Sequence, residues 1–379
     1  MKIGFLIEYF YPMKGGAENN CFYLAKELAK KHEIHVFTSD RGDKKIFNKE
    51  EVVDGVKIHR YKNWFRYKYY LTFTPGFLDV LNYNLDVLHV HSLGFLWHDV
   101  IVLLKKSFSK TKIINTPHGP FMALRNYSFL EDIFRNAVVF LELFFNRLYD
   151  AVIQVNPNQW KWMVKYGIDK NKIKYTPNGI SEDIFNKVRN KKFIERYNLR
   201  NKFVISYLGR IQKYKGLEQV IRILPTLNRK IVFLAMGKDA GDRERLVELS
   251  KKLKVHDRVI FTGEVSDNEK LSGLDASEIF IMPSEWEAFG IVILEAMARG
   301  NAIISTKNEG AEFLVKKNNG LLYDFGNLKK LEENINILYK NRKLIDGMKK
   351  NNIKKAKEFL WKDIAKELER IYSIEIVKG

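Results

Sequence analysis

The sequence predicts an α/β protein of two domains, each built on a doubly wound parallel β-sheet. Short apolar runs bounded by turn residues recur along the whole chain, and segments with helical spacing lie between them. This alternation is the rhythm of βαβ units. The chain has 379 residues, more than one hydrophobic core usually organises, so two sheets are favoured over one very wide sheet.

The first domain is expected at residues 1–180. Its apolar runs favour buried strands, and the helical patterns between them favour parallel crossover connections. The predicted strands are 3–7, 34–38, 56–60, 87–90, 113–116 and 152–155. The predicted helices are 16–31, 92–108, 128–149 and 157–166.

The second domain, expected at residues 181–356, repeats this rhythm after the turn residues Pro177-Asn178-Gly179-Ile180. A basic amphipathic segment at 328–373 is predicted to be helical. Two further helices are predicted at 216–227 and 242–253, and strands at 203–208, 231–236, 259–262, 279–282, 302–305 and 320–323.

Composition excludes several protein classes. Cys21 is the only cysteine, so no disulfide framework or cysteine zinc site is expected, and a reducing cytoplasm is the natural compartment. The apolar part of the N-terminus is too short for a signal peptide. No stretch of about 18 residues lacks charge, so we expect no membrane span.

The net charge of +20 indicates anionic partners such as phosphorylated substrates, an acidic membrane surface or nucleic acid. The excess is spread over the chain, because residues 1–180 carry 26 Lys and Arg against 17 Asp and Glu, and residues 181–379 carry 39 against 28. No zinc-finger, RNP or helix-turn-helix pattern accompanies the charge, so we expect no nucleic-acid partner.

Two glutamates beside a predicted strand form the most informative motif. The apolar run 280–282 predicts the strand, and a helix is predicted from 291 to 299. Glu287 then lies in the loop at the strand's carboxyl end, where open α/β sheets bind ligands, and Glu295 lies about one turn inside the helix. The loop amides at 288–290 would favour an anion or sugar oxygens.

A carboxylate in this place can accept two sugar hydroxyls at once. The alternative is that Glu287 and Glu295 are solvated surface charges. Their apolar surroundings and the Phe289-Gly290 pair between them argue against it, because charge is rarely placed beside a core without a partner.

Basic residues follow the first predicted strand of the second domain. Arg210 and Lys215 would flank its carboxyl end, where a guanidinium and an ammonium can neutralise a diphosphate. The alternative is a solvated basic loop, to which Lys213 is assigned.

The first domain offers two further candidates. Gly15 and Gly16 follow its first strand and precede a helix, which lets a ligand approach the backbone closely, although two glycines often only form a turn. His118 ends a strand among turn residues and is expected to face a cleft at the sheet edge, with a structural histidine as the alternative. His89 and His91 would share one strand face. They are interpreted as structural histidines; the alternative, a metal-binding pair, is not supported by a carboxylate motif.

These motifs resemble those of the retaining, nucleotide-sugar-dependent glycosyltransferases of family 4. The Glu-Ala-Phe-Gly at 287–290, the second glutamate eight residues after the first, and the Gly-Arg-x4-Lys-Gly at 209–216 carry the resemblance. It implies the GT-B fold, in which two Rossmann-like domains face a central cleft. It also implies that a C-terminal helix at about 357–379 packs back on the first domain.

The resemblance implies a role for each motif. Arg210 and Lys215 would hold the donor diphosphate, Glu287 the sugar hydroxyls and Glu295 the ribose diol. His118 would touch the donor sugar near the reacting carbon, and with Glu287, Arg210 and Lys215 it forms the implied catalytic set. The implied donor-binding set also includes Gly15, Gly16, Ala288, Phe289, Gly290 and Ile291.

Two stretches depart from the family pattern. Gly237-Lys238-Asp239-Ala240-Gly241 stands where relatives have Gly-x-Gly-Pro-Glu, and Glu309-Gly310 stands where relatives have Gly-Gly. These departures leave the roles of Gly237 and Gly310 open.

The expected function is transfer of a hexose-type sugar from a UDP-, GDP- or ADP-sugar to an acceptor hydroxyl, with retention. No Asp-x-Asp triplet is present, and the basic residues can replace a metal, so no metal or other cofactor is expected. The alternatives are a nucleotide-sugar 2-epimerase of the same fold and a non-catalytic basic binder of membranes or nucleic acid.

Residues 57–73 interleave basic and aromatic side chains without an acid, and 129–148 form an apolar helix. One interpretation is a surface that meets an anionic membrane. The other is an edge strand and a helix with their core aromatics. The first favours a cytoplasmic enzyme, peripheral on the inner face of a membrane, that builds a lipid-linked or cell-surface glycan.

Overall fold

The computed structural model describes residues 1–41, 49–67, 71–119, 129–188 and 190–378, and only the backbone of 129–132, 134 and 135. The chain divides into two compact units. The first comprises Met1–Gly179 with Trp361–Gly379, and the second comprises Ile180–Leu360. The predicted α/β class is confirmed, because each unit contains a parallel sheet with helices between its strands.

The first unit is organised around an eight-stranded sheet. Among its described residues the first unit has ten strands, of which β5 and β6 form a separate two-stranded sheet. Strands β1 to β10 are Lys2–Leu6, Glu33–Ser39, Glu50–Val53, Val56–Tyr61, Phe65–Tyr67, Leu71–Phe73, Val87–Val90, Lys112–Asn115, Ala151–Gln154 and Ile173–Tyr175. The order is β10-β9-β8-β7-β1-β2-β4-β3, with only β3 antiparallel to its neighbour. Helices α1 to α4 are Gly16–Leu28, Leu96–Phe108, Phe129–Phe145 and Trp160–Lys165.

Strand β1 shows how this sheet is covered on both faces. Ile3 and Phe5 pack with Leu24 of α1 on one side, whereas Leu6 packs with Ile101 of α2 on the other. Alternate side chains of a strand point to opposite faces, so a sheet with two covered faces needs apolar residues at nearly every position. This explains the continuous apolar runs in the sequence.

The second unit contains a six-stranded, wholly parallel sheet of order β13-β12-β11-β14-β15-β16. Its strands β11 to β16 are Phe203–Leu208, Ile231–Met236, Val259–Gly263, Ile279–Met282, Ala302–Thr306 and Gly320–Tyr323. Helices α5 to α12 are Lys191–Arg196, Glu218–Ile223, Arg243–Lys252, Asp267–Asp275, Ile291–Ala298, Glu309–Leu314, Leu328–Lys340 and Arg342–Ala356.

The segment 328–373, predicted to be helical, is helical and consists of three helices. Asn341 separates α11 from α12, and its side-chain oxygen accepts a hydrogen bond from the Leu344 amide, which caps α12. A last helix, α13 at Trp361–Val377, belongs to the first unit. There Trp361 and Tyr372 are buried in the core that α1 also lines.

The described residues of the segment 57–73 do not form an edge strand followed by a helix, although Ile58 of β4 does lie in the core. Strand β4 is paired on both sides, and the antiparallel hairpin β5–β6 follows it. Trp64, Phe65 and Tyr67 are 68, 52 and 54% exposed, so the prediction of core aromatics is wrong for these three. Lys68, Tyr69 and Tyr70 lie outside the described residues.

Helix α3 buries Val138 but exposes Phe140, Leu141 and Phe144. None of the helices in the described part of the chain combines the length and apolarity needed to cross a bilayer.

Candidate functional site

The strand order of the second unit reverses between β11 and β14. The chain passes outward from β11 to β12 and β13, then returns to the other side of β11 and continues outward through β14, β15 and β16. The loops that leave β11 and β14 therefore diverge at their carboxyl ends, which is where doubly wound sheets bind ligands. Arg210 and Lys215 follow β11, and Glu287 follows β14.

Lys215 and Glu287 form an ion pair at this switch point. Nζ of Lys215 donates a hydrogen bond to Oε1 of Glu287, and the two side chains are only 12 and 15% exposed. Burial alone would lower the pKa of Lys215, but the charge of Glu287, with a contribution from Tyr214, outweighs it and raises the pKa. Lys215 is therefore an ammonium at neutral pH.

Arg210 lies at the same edge but differs in its surroundings. Its backbone carbonyl accepts a hydrogen bond from the hydroxyl of Tyr207 at 2.9 Å. Its side chain is exposed, and within the described chain its guanidinium forms no ion pair. The structure thus offers one buried ammonium and one open guanidinium to an anion, as diphosphate recognition requires.

The loop that carries Glu287 is fixed by close backbone contacts. The amide of Gly310 donates to the carbonyl of Glu287 at 3.1 Å, and a Cβ on Gly310 would lie 2.6 Å from the carbonyl carbon of Phe289. Gly290, which precedes α9, has a φ of +83°. Relatives have two glycines where this chain has Glu309-Gly310, and the backbone contact requires glycine at position 310.

The amides of this loop differ in availability. No group in the described residues accepts a hydrogen bond from the backbone amides of Phe289 or Gly290, whereas Ala288 has an interaction partner within the protein. Ile291 is the first residue of α9 and is half-buried. Two donors at a helix N-terminus can hold an anion or sugar oxygens.

Glu295 is paired with a residue that the sequence did not point to. Nζ of Lys270 in α8 donates to Oε1 of Glu295 at 2.7 Å, and it lies 3.4 Å from Asp267. Burial alone would lower the pKa of Lys270, but these carboxylates, chiefly Glu295, raise it, so it remains charged. A single lysine on an otherwise polar helix carries no periodic signal, and only the fold reveals its partner.

Gly237, whose role the sequence left open, serves a close approach of two loops. It has a φ of +140°, and a Cβ there would lie 2.8 Å from the carbonyl carbon of Gly209. Any side chain at Gly237 would therefore displace the start of the loop that carries Arg210.

The first unit holds a histidine cluster at the carboxyl ends of β7 and β8. Nδ1 of His91 lies 2.9 Å from Nε2 of His118, and the rings stack with centroids 5.1 Å apart. His89 bonds Tyr372 and Thr116 through its two ring nitrogens, at 2.5 and 2.7 Å. The rings of His89 and His91 are 4.4 Å apart, as expected for residues on one strand face.

His89 and His91 are buried and His118 is half-buried, and desolvation favours the neutral form of all three. It lowers the pKa of His89 and of His118 to about 3, and that of His91 well below its usual range, with neighbouring imidazoles adding to the effect for His89 and His91. Within the described residues, no group of three or more His, Cys, Asp or Glu is arranged to hold a metal ion.

Gly15 and Gly16 open helix α1 in the first unit. A Cβ on Gly15 would lie 2.9 Å from the carboxyl carbon of Glu18, so Gly15 is constrained by its own helix. A Cβ on Gly16 would meet no atom of the protein within 4 Å. Nothing in the packing or backbone conformation therefore requires glycine at position 16.

Two family models match the chain. The model for glycosyl transferases group 1 matches residues 189–355, and the model for glycosyltransferase family 4 matches residues 14–184. Together they span most of both units.

Named proteins agree with these matches. The chain is 26% identical over 397 residues to the uncharacterized glycosyltransferase MJ1069 of Methanocaldococcus jannaschii, covering 96% of each protein. It is 28% identical over 320 residues to the O-antigen biosynthesis glycosyltransferase WclY of Escherichia coli, covering 81% of this chain and 80% of WclY. The crystal structure of Anabaena HepE in complex with UDP and glucose superposes with a TM-score of 0.81 at 18% identity, covering 98 and 99% of the two chains.

Proposed function

The chain belongs to the GT-B glycosyltransferases described by the group 1 and family 4 models, and we propose that it moves a hexose-type sugar from a nucleotide-diphosphate donor to an acceptor hydroxyl. The observation that carries this proposal is the ion pair of Lys215 and Glu287 at the switch point of the second unit. It places a cation for phosphate and a carboxylate for sugar hydroxyls side by side.

Each charged group has a separate task in the proposed reaction. The ammonium of Lys215 has three donors, so it can bond a phosphate oxygen while it keeps Glu287. The guanidinium of Arg210 adds a bidentate contact, and both stabilise the negative charge that develops on the leaving diphosphate. The other oxygen of Glu287 and the amides of Phe289 and Gly290 would hold the sugar.

We propose that transfer retains the anomeric configuration, as the resemblance of the Glu287 and Glu295 motif to retaining enzymes suggests. The bond from the anomeric carbon to the donor phosphate breaks, and the bond to the acceptor oxygen forms on the same face. The acceptor's proton passes to the departing phosphate oxygen. His118 of the first unit is proposed to contact the donor sugar, and Gly15 and Gly16 the donor phosphates.

We propose UDP as the nucleotide, with GDP and ADP as the other outcomes of the test. HepE, which has the same fold, is described with UDP and glucose. The pair of Glu295 and Lys270 supports recognition of a ribose diol, because a carboxylate can accept both hydroxyls. Lys215 and Arg210 supply the positive charge that a metal would otherwise bring, so we propose that no metal is needed.

The acceptor is proposed to be a lipid-linked or cell-surface glycan, met at the anionic inner face of a membrane. The name of WclY, an O-antigen biosynthesis enzyme, supports this class. So does the exposed hairpin that carries Trp64, Phe65 and Tyr67 together with Arg66.

That hairpin is anchored by a buried carboxylate, which favours a formed surface over a loose loop. Glu8 follows β1 and accepts hydrogen bonds from Asn63 at 3.2 Å and from Thr72 and Thr74 at 3.0 and 3.3 Å. Asn63 precedes β5, Thr72 lies within β6, and Thr74 follows β6.

A thermal-shift screen against UDP-, GDP- and ADP-sugars, followed by product analysis, tests the proposal. One donor class should raise the melting temperature, since a ligand that binds only the folded state stabilises it. With a lipid-linked acceptor, and with EDTA present, the product should carry one additional sugar. Formation of an epimer from donor alone would favour a 2-epimerase, and no stabilisation by any donor would favour a non-catalytic binder.

A further inference from the structure

His118 has a backbone conformation that is uncommon for residues other than glycine. It has a φ of +59°, in the left-handed region that residues with a side chain seldom occupy. Such conformations persist where the surrounding contacts over-determine them, and they concentrate at functional sites. The contact that the structure provides is the stacked and hydrogen-bonded ring of His91.

His91 itself is rigidly placed. Its backbone amide donates to the carbonyl of Leu6 at 2.9 Å, which extends the ladder between β7 and β1. Its ring packs against those of Phe5 and His89, with centroids 5.6 and 4.4 Å away, and the residue is buried. A histidine whose backbone is hydrogen-bonded and whose ring packs between two other rings can impose an orientation on His118, to which it is hydrogen-bonded.

The hydrogen-bond partners of the ring nitrogens determine where the ring protons of His91 and His118 lie. Desolvation keeps both imidazoles neutral, so each carries one proton. One proton must lie between Nδ1 of His91 and Nε2 of His118. Nε2 of His91 is buried and meets no hydrogen-bond partner in the described residues.

A buried N–H without an acceptor is the rarer and costlier defect, whereas an unmet acceptor is better tolerated. The proton of His91 therefore lies on Nδ1, where it has a partner, and Nε2 keeps the lone pair. Nε2 of His118 then accepts that hydrogen bond, and the proton of His118 lies on Nδ1.

We propose that His91 is a positioning residue that holds His118 as its Nδ1–H tautomer, so that His118 presents a hydrogen-bond donor to an oxygen of the donor sugar. The tautomer follows from the geometry of the first unit alone, and its use on the sugar rests on the proposed function. The hydrogen bond that one ring nitrogen of an imidazole makes determines which of the two nitrogens carries the proton.

The test reads the tautomer directly. The protein is labelled with ¹⁵N histidine, and the His118 signals are identified by their loss in His118→Asn. In the free enzyme at neutral pH, Nδ1 of His118 should show the shift of a protonated nitrogen and Nε2 that of a lone-pair nitrogen. The opposite assignment would overturn the proposal without bearing on the transferase activity.

Kinetics then separate positioning from packing. His91→Asn keeps an amide donor near the place of Nδ1 and should retain the tautomer and most of kcat, whereas His91→Leu should lose both, with kcat down about tenfold and donor KM little changed. His256→Asn, an exposed histidine of the second unit, is the matched control. Equal kcat in His91→Leu and the control, with His91→Leu folded by its melting temperature, would overturn the positioning role.

Discussion

Nζ of Lys215 donates a hydrogen bond to Oε1 of Glu287, 72 residues away in sequence, and the pair links the loops that leave β11 and β14. The two residues thus form one unit rather than two separate contacts to a ligand. An ammonium that is already paired in the free protein keeps the carboxylate oriented, so little reorganisation remains when a donor binds.

Replacing Glu287 by Gln tests that arrangement. The amide oxygen can still accept from Lys215, so the melting temperature should change little, but the negative charge that orients the ammonium and accepts sugar hydroxyls is lost. We expect the transfer rate to fall about 100-fold, measured as initial velocity at saturating donor. Glu285→Gln, an exposed glutamate of the same loop, is the control, and equal rates in the two variants would contradict the role of Glu287.

A matched pair of glycine variants separates ligand approach from packing. Gly310→Ala places a Cβ against the backbone of Phe289, so both the melting temperature and donor binding should fall. Gly16→Ala enters open space, so the melting temperature should hold or rise slightly while the donor KM rises severalfold. Thermal unfolding and donor saturation curves measure both effects. An unchanged KM in Gly16→Ala would show that no ligand approaches there.

Lys270 and Glu295 make a prediction about the ribose of the donor. If Glu295 accepts the ribose hydroxyls, a 2′-deoxyribose donor should bind more weakly to the native enzyme, and Glu295→Gln should remove most of that difference. Lys270→Met frees the Glu295 side chain and should raise the donor KM severalfold with kcat retained. Lys251→Met, an exposed lysine of α7, serves as the control.

The opposite result for the 2′-deoxy donor would be equally clear. Should Glu295→Gln discriminate between the two donors as strongly as the native enzyme, the carboxylate does not bind the ribose. The ion pair with Lys270 would then be a link between α8 and α9 only.

The exposed hairpin predicts binding to anionic vesicles. Trp64→Ser with Phe65→Ser removes apolar area that would otherwise enter the lipid interface, so partitioning onto phosphatidylglycerol vesicles should weaken about tenfold. Phe108→Ser, another exposed aromatic of the first unit, should bind as the native protein does. Co-sedimentation at two salt concentrations measures the effect, and equal binding of both variants would exclude the hairpin as the contact.

Local sequence patterns predicted the elements of the fold well, because each buried strand needs its own apolar run. They also predicted that Lys215 and Glu287 lie at one sheet edge, since parallel strands end together. They did not predict that the two side chains bond each other, because that distance depends on the paths of two loops fixed by Gly216 and Gly310. The helical pattern at 328–373 did not locate the break at Asn341, where a side-chain cap starts α12.

The histidine and carboxyl clusters show a second limit. Whether His91 contacts Phe5 or His118 depends on strand register, which the sequence alone leaves open. Likewise, nothing local marks Glu142 of α3 as a buried group, although it accepts a hydrogen bond from the amide of Gly94 at 2.6 Å and shares a hydrogen bond with Asp99.

Glu142 predicts how stability depends on pH. Burial raises its pKa to about 7, and the hydrogen bonds from Gly94, Asp99 and Asn146 only partly oppose this. A carboxyl with a higher pKa in the folded state binds protons more tightly there than in the unfolded chain. The stability that Glu142 contributes is therefore greatest below its pKa in the unfolded chain and falls as pH rises from about 4.5 to about 7, by on the order of 3 kcal/mol.

Glu142→Gln keeps an oxygen for the Gly94 amide but cannot ionise, so it should remove the part of the dependence that Glu142 contributes, while Asp99, whose pKa burial also raises, keeps its own part. The variant should melt at nearly the native temperature at pH 5 and several degrees higher at pH 8. Glu50→Gln, an exposed glutamate of β3, should follow the native curve at both values. Parallel pH profiles of Glu142→Gln and the native protein would mean that the carboxyl ionises in the folded state as readily as it does in water.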